Sequence, residues 1–193
     1  CNGCAVWPNT SAAAPILTSA ITGTIVKVYN GDTSATVASS DIGAGGLLNG
    51  DLASWLIHNA AYDTKGVGST KPVTALVAID HVVDSNGKPV YGYQLSVPFA
   101  SGNVGSITPA SISSVSGITA GDKTYDGGTA ATLNPGSASF NGIIAGDSLT
   151  VSGATGAFAD KNAGAGKTVQ ISGITLSGTD ASNYTLANDT ATA

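Results

Sequence analysis

The cysteines at the start of the chain are the residues with the clearest potential for chemistry. They form the sequence Cys1-Asn2-Gly3-Cys4. A thioredoxin-type dithiol opens a helix next to a βαβ unit, and no such pattern surrounds this motif. A structural zinc site takes four ligands, which two cysteines and two distant histidines supply poorly. We therefore expect Cys1 and Cys4 to form disulfides, either within the chain across the Asn2-Gly3 turn or between chains.

The histidines and acidic residues do not suggest an active site. His58 lies in an apolar stretch and His81 stands beside Asp80, but no nucleophile elbow surrounds any serine. All twelve acidic residues are aspartates, and no spacing suggests a pair of them with pKa values pushed apart. We therefore expect no enzymatic activity, no cofactor and no metal site.

The composition favours β-structure and argues against several kinds of partner. The chain has 193 residues and a net charge of −5, and it contains no methionine. It also lacks glutamate and arginine. These three residue types favour helices, whereas the abundant valine and threonine favour strands, so we predict an all-β fold. The negative charge argues against nucleic acid, which binds basic patches. There is no apolar run of about 18 residues, so we expect no membrane-spanning segment.

One motif occurs twice and organises the chain. The residues Lys123–Leu133, KTYDGGTAATL, match the residues Lys27–Val37, KVYNGDTSATV, at a spacing of 96 positions. The same spacing links Asp51 to Asp147 well beyond the motif. Because one register holds over such a length, we conclude that the chain consists of two copies of one module.

Each copy of the motif is predicted to form a short strand, a tight turn and a second strand. In the second copy Gly127 and Gly128 permit the turn without Cβ strain, and the Tyr125 ring can cover the edge of the core while its hydroxyl stays wet. The residues with this expected structural role are Tyr29, Gly31, Tyr125, Asp126 and Gly127.

The turn signals divide the chain into a leader over residues 1–14, a first β domain over residues 15–110 and a second over residues 111–193. Pro15 and Pro109 mark the boundaries, since proline interrupts strand pairing. The predicted strands are Ile25–Tyr29, Ser34–Ala38, Ala53–His58 around Trp55, Val73–Val83, Val90–Val97 and Ser101–Ile107 in the first domain, and Val115–Ile118, Lys123–Tyr125, Ala130–Leu133, Ser148–Ser152, Thr168–Leu176 and Asn183–Leu186 in the second.

A tyrosine near the end of each module favours an Ig-like sandwich. Such sandwiches carry a tyrosine at the start of a late strand, two residues before a buried position, and its hydroxyl bonds back to the backbone. Tyr184 and Leu186 have this spacing, with Asp180 four residues earlier, and Tyr93 and Leu95 repeat the pair. We predict two tandem Ig-like β-sandwich domains, with a β-grasp-like sheet as the alternative.

The motif at 123–133 resembles the signature of YDG repeats. These repeats occur in tandem in very large bacterial surface adhesins that resemble filamentous haemagglutinin and other two-partner-secretion exoproteins. The resemblance covers nearly all of residues 112–186, including IAGD at 144–147, FADKNAG at 158–164 and LSGTDASNYTL at 176–186. The first module departs from the pattern, because Tyr-Asp-Gly becomes Tyr29-Asn30-Gly31 there.

The resemblance implies an extracellular structural or adhesive repeat unit at the bacterial cell surface. It carries over no catalytic residue, because the family motif contains none. The alternative is an adhesin module whose loops bind a carbohydrate or a host protein. Asn9, Asn183 and Asn188 stand in N-x-S/T sequons, which mark glycosylation sites but also arise by chance in a chain this rich in serine and threonine.

The end of the second module suggests assembly between chains. Seven residues, Ala187–Ala193, follow its tyrosine strand, against twelve, Ser96–Ile107, in the first module. We therefore expect a short last strand and an incomplete sheet, which is a template for another chain. Val6 and Trp7 in the leader of a second copy are the predicted strand donor, and the resulting head-to-tail contact would give a fibre. The alternative is that the chain was cut inside a longer repeat array.

Overall fold

A computed structural model of the protein describes residues 13–193. Those residues form eighteen strands and two single-turn 3-10 helices, with no α-helix among them. Residue contacts divide them into two units. The second unit comprises Thr108–Ala193 together with Val28–Gly31, and the first comprises Asp32–Ile107 together with the described residues before Val28. The prediction of an all-β fold with two tandem β domains is confirmed.

The first unit is a sandwich of two sheets. Its strands are β1 (Ile16–Ile21), β2 (Ile25–Val28), β3 (Ile42–Gly45), β4 (Leu52–Tyr62), β5 (Gly68–Val83), β6 (Pro89–Val90), β7 (Gln94–Leu95) and β8 (Phe99–Thr108). One sheet has the order β3–β1–β7 and the other the order β2–β8–β5–β4, with β6 beside β5. Alternate side chains of each strand face the core, which contains Leu17, Ile21, Trp55, Tyr62, Val73, Val77 and Ile107.

The second unit repeats this architecture with shorter strands. They are β9 (Ala110–Ile112), β10 (Ser114–Ser116), β11 (Thr119–Ala120), β12 (Ala130–Ala131), β13 (Leu133–Asn134), β14 (Ser139–Asn141), β15 (Thr150–Phe158), β16 (Val169–Ser177), β17 (Tyr184–Leu186) and β18 (Ala191–Thr192). The main sheet has the order β12–β15–β16–β18, while β9 pairs with β17, β10 with β14 and β11 with β13. Its core contains Ile112, Val115, Ile118, Phe140, Val169, Ile171 and Ile174.

Strand pairing follows the sequence repeat. Tyr62 lies opposite Val73 in the first unit, and Phe158 lies opposite Val169 in the second. Each of these positions is shifted by the same 96 residues. Beyond β5, which runs further than its counterpart β16, the spacing of equivalent residues falls to 91, the distance from Tyr93 to Tyr184.

The first strand of each unit pairs in parallel with the tyrosine strand. Ile16 lies opposite Gln94 in the pair β1–β7, and Ala110 lies opposite Tyr184 in the pair β9–β17. The sequence patterns do not predict this pairing, because it joins the two ends of a unit and leaves no local signal. The pairing fixes the position of each tyrosine relative to the start of its unit.

Several predicted strands are wrong or shorter than expected. Ser34–Ala38 contributes one isolated bridge, from Ser34 to Ala61, and Lys123–Tyr125 belongs to no strand. Val90–Val97 is interrupted between β6 and β7. The motif is therefore a loop held by side chains rather than a regular hairpin. Trp55, by contrast, lies in β4, which confirms its predicted strand, and it is 5% exposed.

Candidate functional site

The most distinctive polar arrangement of the second unit joins Tyr184 to Asp147. The Tyr184 hydroxyl donates to Oδ2 of Asp147 at 2.7 Å and accepts from the Ile144 N–H at 2.9 Å. Ile144 and Asp147 are the ends of one turn, closed by the Asp147 N–H on the Ile144 carbonyl at 3.1 Å. Gly146 has a φ of +94° in this turn, a value that glycine adopts without steric cost. The tyrosine thus fastens a strand to a turn 40 residues earlier, and we call this arrangement the clasp.

The first unit contains the same clasp. The Tyr93 hydroxyl donates to Oδ2 of Asp51 at 2.7 Å and accepts from the Leu48 N–H at 2.9 Å. The Asp51 N–H donates in turn to the Leu48 carbonyl at 2.9 Å. Asp51 is buried, so its carboxylate depends on these bonds to offset the loss of water. Two hydrogen bonds and one turn therefore recur in both units.

A second tyrosine joins the clasp of the second unit. Tyr29 belongs to this unit through the segment Val28–Gly31, and its hydroxyl also donates to Oδ2 of Asp147 at 2.7 Å. The Tyr29 and Tyr184 rings meet edge to face, with centroids 5.6 Å apart and an interplanar angle of 78°, the geometry that aromatic pairs favour. Tyr29 is 2% exposed. One carboxylate oxygen thus accepts from two buried hydroxyls.

Gly31 lets this tyrosine segment approach the rest of the unit. Its φ is +83°, and a Cβ added there would lie 2.9 Å from Cγ2 of Ile144. Any larger residue would meet both backbone strain and a steric clash. Tyr29 and Gly31 therefore both lie against the turn from Ile144 to Asp147.

The clasp alters the acidity of its tyrosines. Burial, followed by the hydrogen bond to Asp147, raises the pKa of Tyr184 to about 12. Burial and the bond to Asp51 also raise the pKa of Tyr93. Both causes disfavour the phenolate, because it would be poorly solvated and would face a carboxylate.

This shift predicts a loss of stability in alkali. The pKa of Tyr184 lies above its ordinary value of 10.0, so the unfolded chain releases this proton first. The contribution to stability is then complete below about pH 10 and disappears as the pH rises towards about 12. Circular dichroism across this range measures the effect. Tyr184→Phe, which cannot ionise, should reduce the slope of stability against pH, and an unchanged slope would contradict the assignment.

The YDG loop of the second unit is organised by Lys123. Its Nζ lies 2.8 Å from Oδ1 of Asp126 and donates to the carbonyls of Gly128 at 3.1 Å and Ala130 at 3.0 Å. Oδ1 of Asp126 accepts from the Gly128 N–H at 2.8 Å. The hydrogen bond from Lys123, followed by that from Gly128, lowers the pKa of Asp126. The lysine replaces regular strand pairing here, which explains why the predicted strand is absent.

The first unit keeps this loop although its acid has moved. Lys27 Nζ lies 2.7 Å from Oδ1 of Asp32 and donates to the Asp32 carbonyl at 2.8 Å. The same carboxylate oxygen accepts from the Ser34 N–H at 2.9 Å. Asp32 lies two positions after the residue equivalent to Asp126, yet it makes the same kind of contacts. The change from Tyr-Asp-Gly to Tyr-Asn-Gly-Asp is therefore compensated locally by Asp32, which the aligned motif positions do not reveal.

A second lysine–aspartate pair also recurs. Lys71 Nζ lies 3.0 Å from Oδ1 of Asp63 in the first unit, and Lys167 pairs with Asp160 in the second. The two lysines are 96 positions apart, whereas the two aspartates are 97 positions apart. Comparing the two copies for a nearby acid, rather than an aligned one, would have found both kinds of pair.

The other predicted site residues fall into three groups. Cys1, Cys4, Val6, Trp7 and Asn9 lie outside the described residues, so the disulfide, the strand donor and the first sequon stay predictions. Tyr125 is 62% exposed, whereas its equivalent Tyr29 is buried. Asn183 is buried and Asn188 is exposed, so a glycan on Asn188 is compatible with the fold and one on Asn183 would disrupt packing.

The expected tyrosine corner takes a different form. The ring of Tyr184 is buried, whereas Tyr93 is only half-buried. The expectation of a buried residue two positions after each tyrosine is wrong, because Leu95 and Leu186 are also half-buried. The Tyr184 hydroxyl reaches the distant turn at Ile144, while Asp180 accepts from the Ser148 N–H at 2.9 Å. Tertiary packing, rather than the aspartate four residues before it, thus selects the partner of the tyrosine.

Within residues 13–193, no group of three or more His, Cys, Asp or Glu side chains could hold a metal ion. No helix in this part of the chain is long and apolar enough to cross a membrane. His58 and His81 are both exposed. His81 Nδ1 lies 2.9 Å from Oδ2 of the neighbouring Asp80.

The fold and the recurring clasp define a class of protein, a tandem repeat of β-sandwich units. The family model of the YDG domain matches residues 13–97 and again residues 108–193. These two matches cover most of the chain, which therefore belongs to the YDG domain family and contains two copies of the domain. Neither a curated protein nor a solved structure matches the chain.

Proposed function

We propose that this chain is a structural repeat segment of an extracellular bacterial adhesin or surface fibre and performs no catalysis. The observation that carries the proposal is the recurrence of the clasp, with the same hydrogen bonds between Tyr93, Asp51 and Leu48 as between Tyr184, Asp147 and Ile144. Repeated units that each retain the same internal hydrogen bonds are suited to a stalk, because each unit adds length and resists unfolding.

The ion pairs of the recurring lysines support the same proposal. The recurring lysines Lys27, Lys71, Lys123 and Lys167 each pair with an aspartate of their own unit. The ammonium groups of Lys27, Lys123 and Lys167 also donate to backbone carbonyls, as Lys123 does at Gly128 and Ala130. These ion pairs and hydrogen bonds hold loops in place, as expected of a structural protein.

Localisation on the producing cells tests the proposal. Intact cells are treated with a protease and then probed with an antibody against the second unit. The proposal predicts loss of the signal without lysis, while a cytoplasmic control protein stays intact. A signal that is lost only after lysis would contradict an extracellular role.

A binding module for a carbohydrate or host protein is the second candidate. It is favoured by Tyr125, which is 62% exposed and lines a groove together with Lys123 and Lys161. Exposed aromatic rings flanked by polar groups are typical of binding sites. An array of glycans and host matrix proteins, probed with the protein and with Tyr125→Ala, separates the candidates. Specific binding that the substitution abolishes would favour the binding module over a pure stalk.

The proposal also includes fibre growth by strand addition. The acceptor in this proposal is the main sheet of the second unit, in the order β12–β15–β16–β18. Deletion of residues 1–14, followed by size-exclusion chromatography and electron microscopy, tests the predicted role of the leader as donor. Fibres that persist after the deletion would contradict that role.

A further inference from the structure

The larger sheet of the first unit, in the order β2–β8–β5–β4, carries apolar side chains on one continuous surface. Leu76 of β5 lies between His58 of β4 and Phe99 of β8. In the next row Leu56 of β4 lies opposite Ala78 of β5. Residues directly opposite each other share a face of the sheet, so these side chains are neighbours on one surface.

This surface points away from the core of the unit. Val77 follows Leu76 in the chain and Ala100 follows Phe99, and both Val77 and Ala100 are buried. Successive side chains of a strand point to opposite faces. The core therefore takes Val77 and Ala100, while Leu76 and Phe99 point to solvent.

Two further exposed residues extend the surface. Leu52 is separated from Leu56 by an even number of positions in β4, so both point to the same face. Val97 precedes β8, and the bond from the Val77 N–H to the Pro98 carbonyl at 3.2 Å continues the pairing of β8 towards it. Five large apolar residues, each between 44% and 63% exposed, form what we call the apolar face: Leu52, Leu56, Leu76, Val97 and Phe99.

The second unit has a polar, exposed residue at each of the five equivalent positions. In the same order these residues are Ser148, Ser152, Ser172, Asn188 and Thr190. The core positions of the same strands, by contrast, are apolar in both units, as Trp55 and Val151 or Val73 and Val169 show. The two units therefore differ at the outer face of the sheet while their inner faces keep the same character.

The polar face of the second unit is covered by its own hydrogen bonds and by solvent. Ser152 Oγ lies 2.9 Å from Thr175 Oγ1, and Thr155 Oγ1 lies 3.1 Å from Ser172 Oγ. The fold thus forms with hydroxyl groups at these positions and does not require apolar residues there. Contiguous exposed apolar patches are typical of interaction sites, so the apolar face of the first unit indicates a partner.

We propose that the apolar face binds the same face of a second copy of this chain, which gives a two-fold symmetric dimer. Its five side chains present on the order of 450 Å² of apolar surface per copy, a large patch for a protein surface. Two copies would bury about twice that area. Because about 65% of a homodimer interface is apolar, the total is roughly 1,400 Å², which is the size of a standard stable interface.

The geometry of the face suits this pairing. Two sheets pack face to face at about 10 Å with their side chains interdigitated, and one patch that meets itself gives a closed dimer. Thr74 and Ser101 lie opposite each other next to Leu76 and Phe99. Such hydroxyl groups at the margin give the polar rim that surrounds the apolar centre of an interface.

The leader covers this face less well than a second sheet does. Its large apolar residues are Val6 and Trp7, and Pro8 follows them directly. Proline interrupts strand pairing, and two side chains are too few for a face whose five apolar residues extend over three strands. The extent of the face therefore favours a second copy as the occupant.

Sedimentation equilibrium of the full chain tests this inference. Reducing conditions exclude disulfides through Cys1 and Cys4. We expect the mass to rise with concentration from that of one chain to that of two, with a dissociation constant that is roughly micromolar or lower, as for interfaces of this size. Leu56→Ser/Leu76→Ser, which introduces the residues of the second unit, should weaken the dimer at least about tenfold.

Two further variants accompany this measurement. Phe99→Thr, which introduces the residue equivalent to Thr190, should weaken the dimer independently of the double substitution. Ile16→Thr is the matched control, because Ile16 is 58% exposed on the other sheet of the same unit, and it should leave the association unchanged. Far-UV circular dichroism and the melting temperature establish that each variant is folded.

Three outcomes would overturn the inference. The first is the mass of a single chain at every concentration. The second is a dimer that all three serine and threonine variants leave equally strong. The third is loss of the dimer in Val6→Ser/Trp7→Ser, which would make the leader of the second copy the occupant. The dimer is measured in solution and does not depend on where the protein is located, so this inference and the proposed extracellular role can fail separately.

Discussion

Replacing Asp147 by alanine is expected to destabilise the second unit by about 3 kcal/mol. The carboxylate accepts from the hydroxyls of Tyr29 and Tyr184, both at 2.7 Å, and both tyrosines are buried. A buried donor left without an acceptor costs roughly 1–3 kcal/mol. Because two donors lose the same acceptor, the effect should exceed that of removing a single hydrogen bond. Calorimetry of the intact chain resolves the transition of the second unit.

Two matched variants sharpen this prediction. Asp147→Asn keeps one acceptor oxygen and should cost less than the alanine variant. Asp51→Ala removes the corresponding group of the first unit, where the clasp hydrogen bond comes from one tyrosine, Tyr93, and its effect should appear in the other transition. If Asp147→Ala leaves the second transition within about 0.5 kcal/mol of the original, the range of ordinary surface substitutions, the clasp does not hold the unit.

Replacing Trp55 by alanine is expected to destabilise the first unit by about 3–5 kcal/mol, the usual cost of removing a large aromatic side chain from a core. Trp55 lies in β4 opposite Ile79 and is 5% exposed. Its equivalent in the second unit is Val151, so the first unit depends on one bulky ring where the second does not. Denaturant unfolding followed by far-UV circular dichroism measures the loss.

The control for this prediction is Trp55→Phe. The indole Nε1 is buried and has no hydrogen-bond partner among the described residues, so phenylalanine keeps much of the apolar contact and removes an unsatisfied donor. We expect a cost below about 1.5 kcal/mol, as for other conservative core replacements. Equal losses for the alanine and phenylalanine variants would show that ring volume is not what the core requires.

The predictable parts of the fold correspond to local sequence patterns, namely the repeat register and the alternation of apolar residues. The register of 96 residues identifies equivalent positions such as Tyr62 and Phe158, because both copies must bury the same faces. The repeat also places Trp55 in a buried strand, since its partner segment around Val151 alternates as strands do.

The parts that are not predictable depend on contacts between distant residues. The clasp joins Tyr184 to Asp147 across 37 residues, and neither side chain has a local feature that selects the other. The alternation of Lys-Thr-Tyr predicts a strand at Lys123, yet backbone carbonyls of this loop bind the lysine side chain instead. Asp32 and Asp160 do not align with the corresponding aspartate of the other copy, yet each pairs with the aligned lysine. An ion pair can therefore recur in both copies although its acid stands at a different position.

These features combine into one physical description. Each unit is a β-sandwich whose late tyrosine is fastened to an upstream turn, and whose lysines hold the loops at Asp32 and Asp126. The tyrosine, lysine and aspartate side chains of these contacts hold the backbone of turns and loops in place. A segment built in this way is suited to carry load along a surface protein, which is the role we propose.

Single-molecule force spectroscopy tests this central claim most directly. The chain is held at its two ends and stretched until it unfolds. We predict two separate unfolding events, each releasing about 30 nm for a domain of the matched length, with Asp147→Ala lowering the force of one event and leaving the other unchanged. A single event that releases the whole chain, or extension without resistance, would contradict the claim that the protein consists of two load-bearing repeat units.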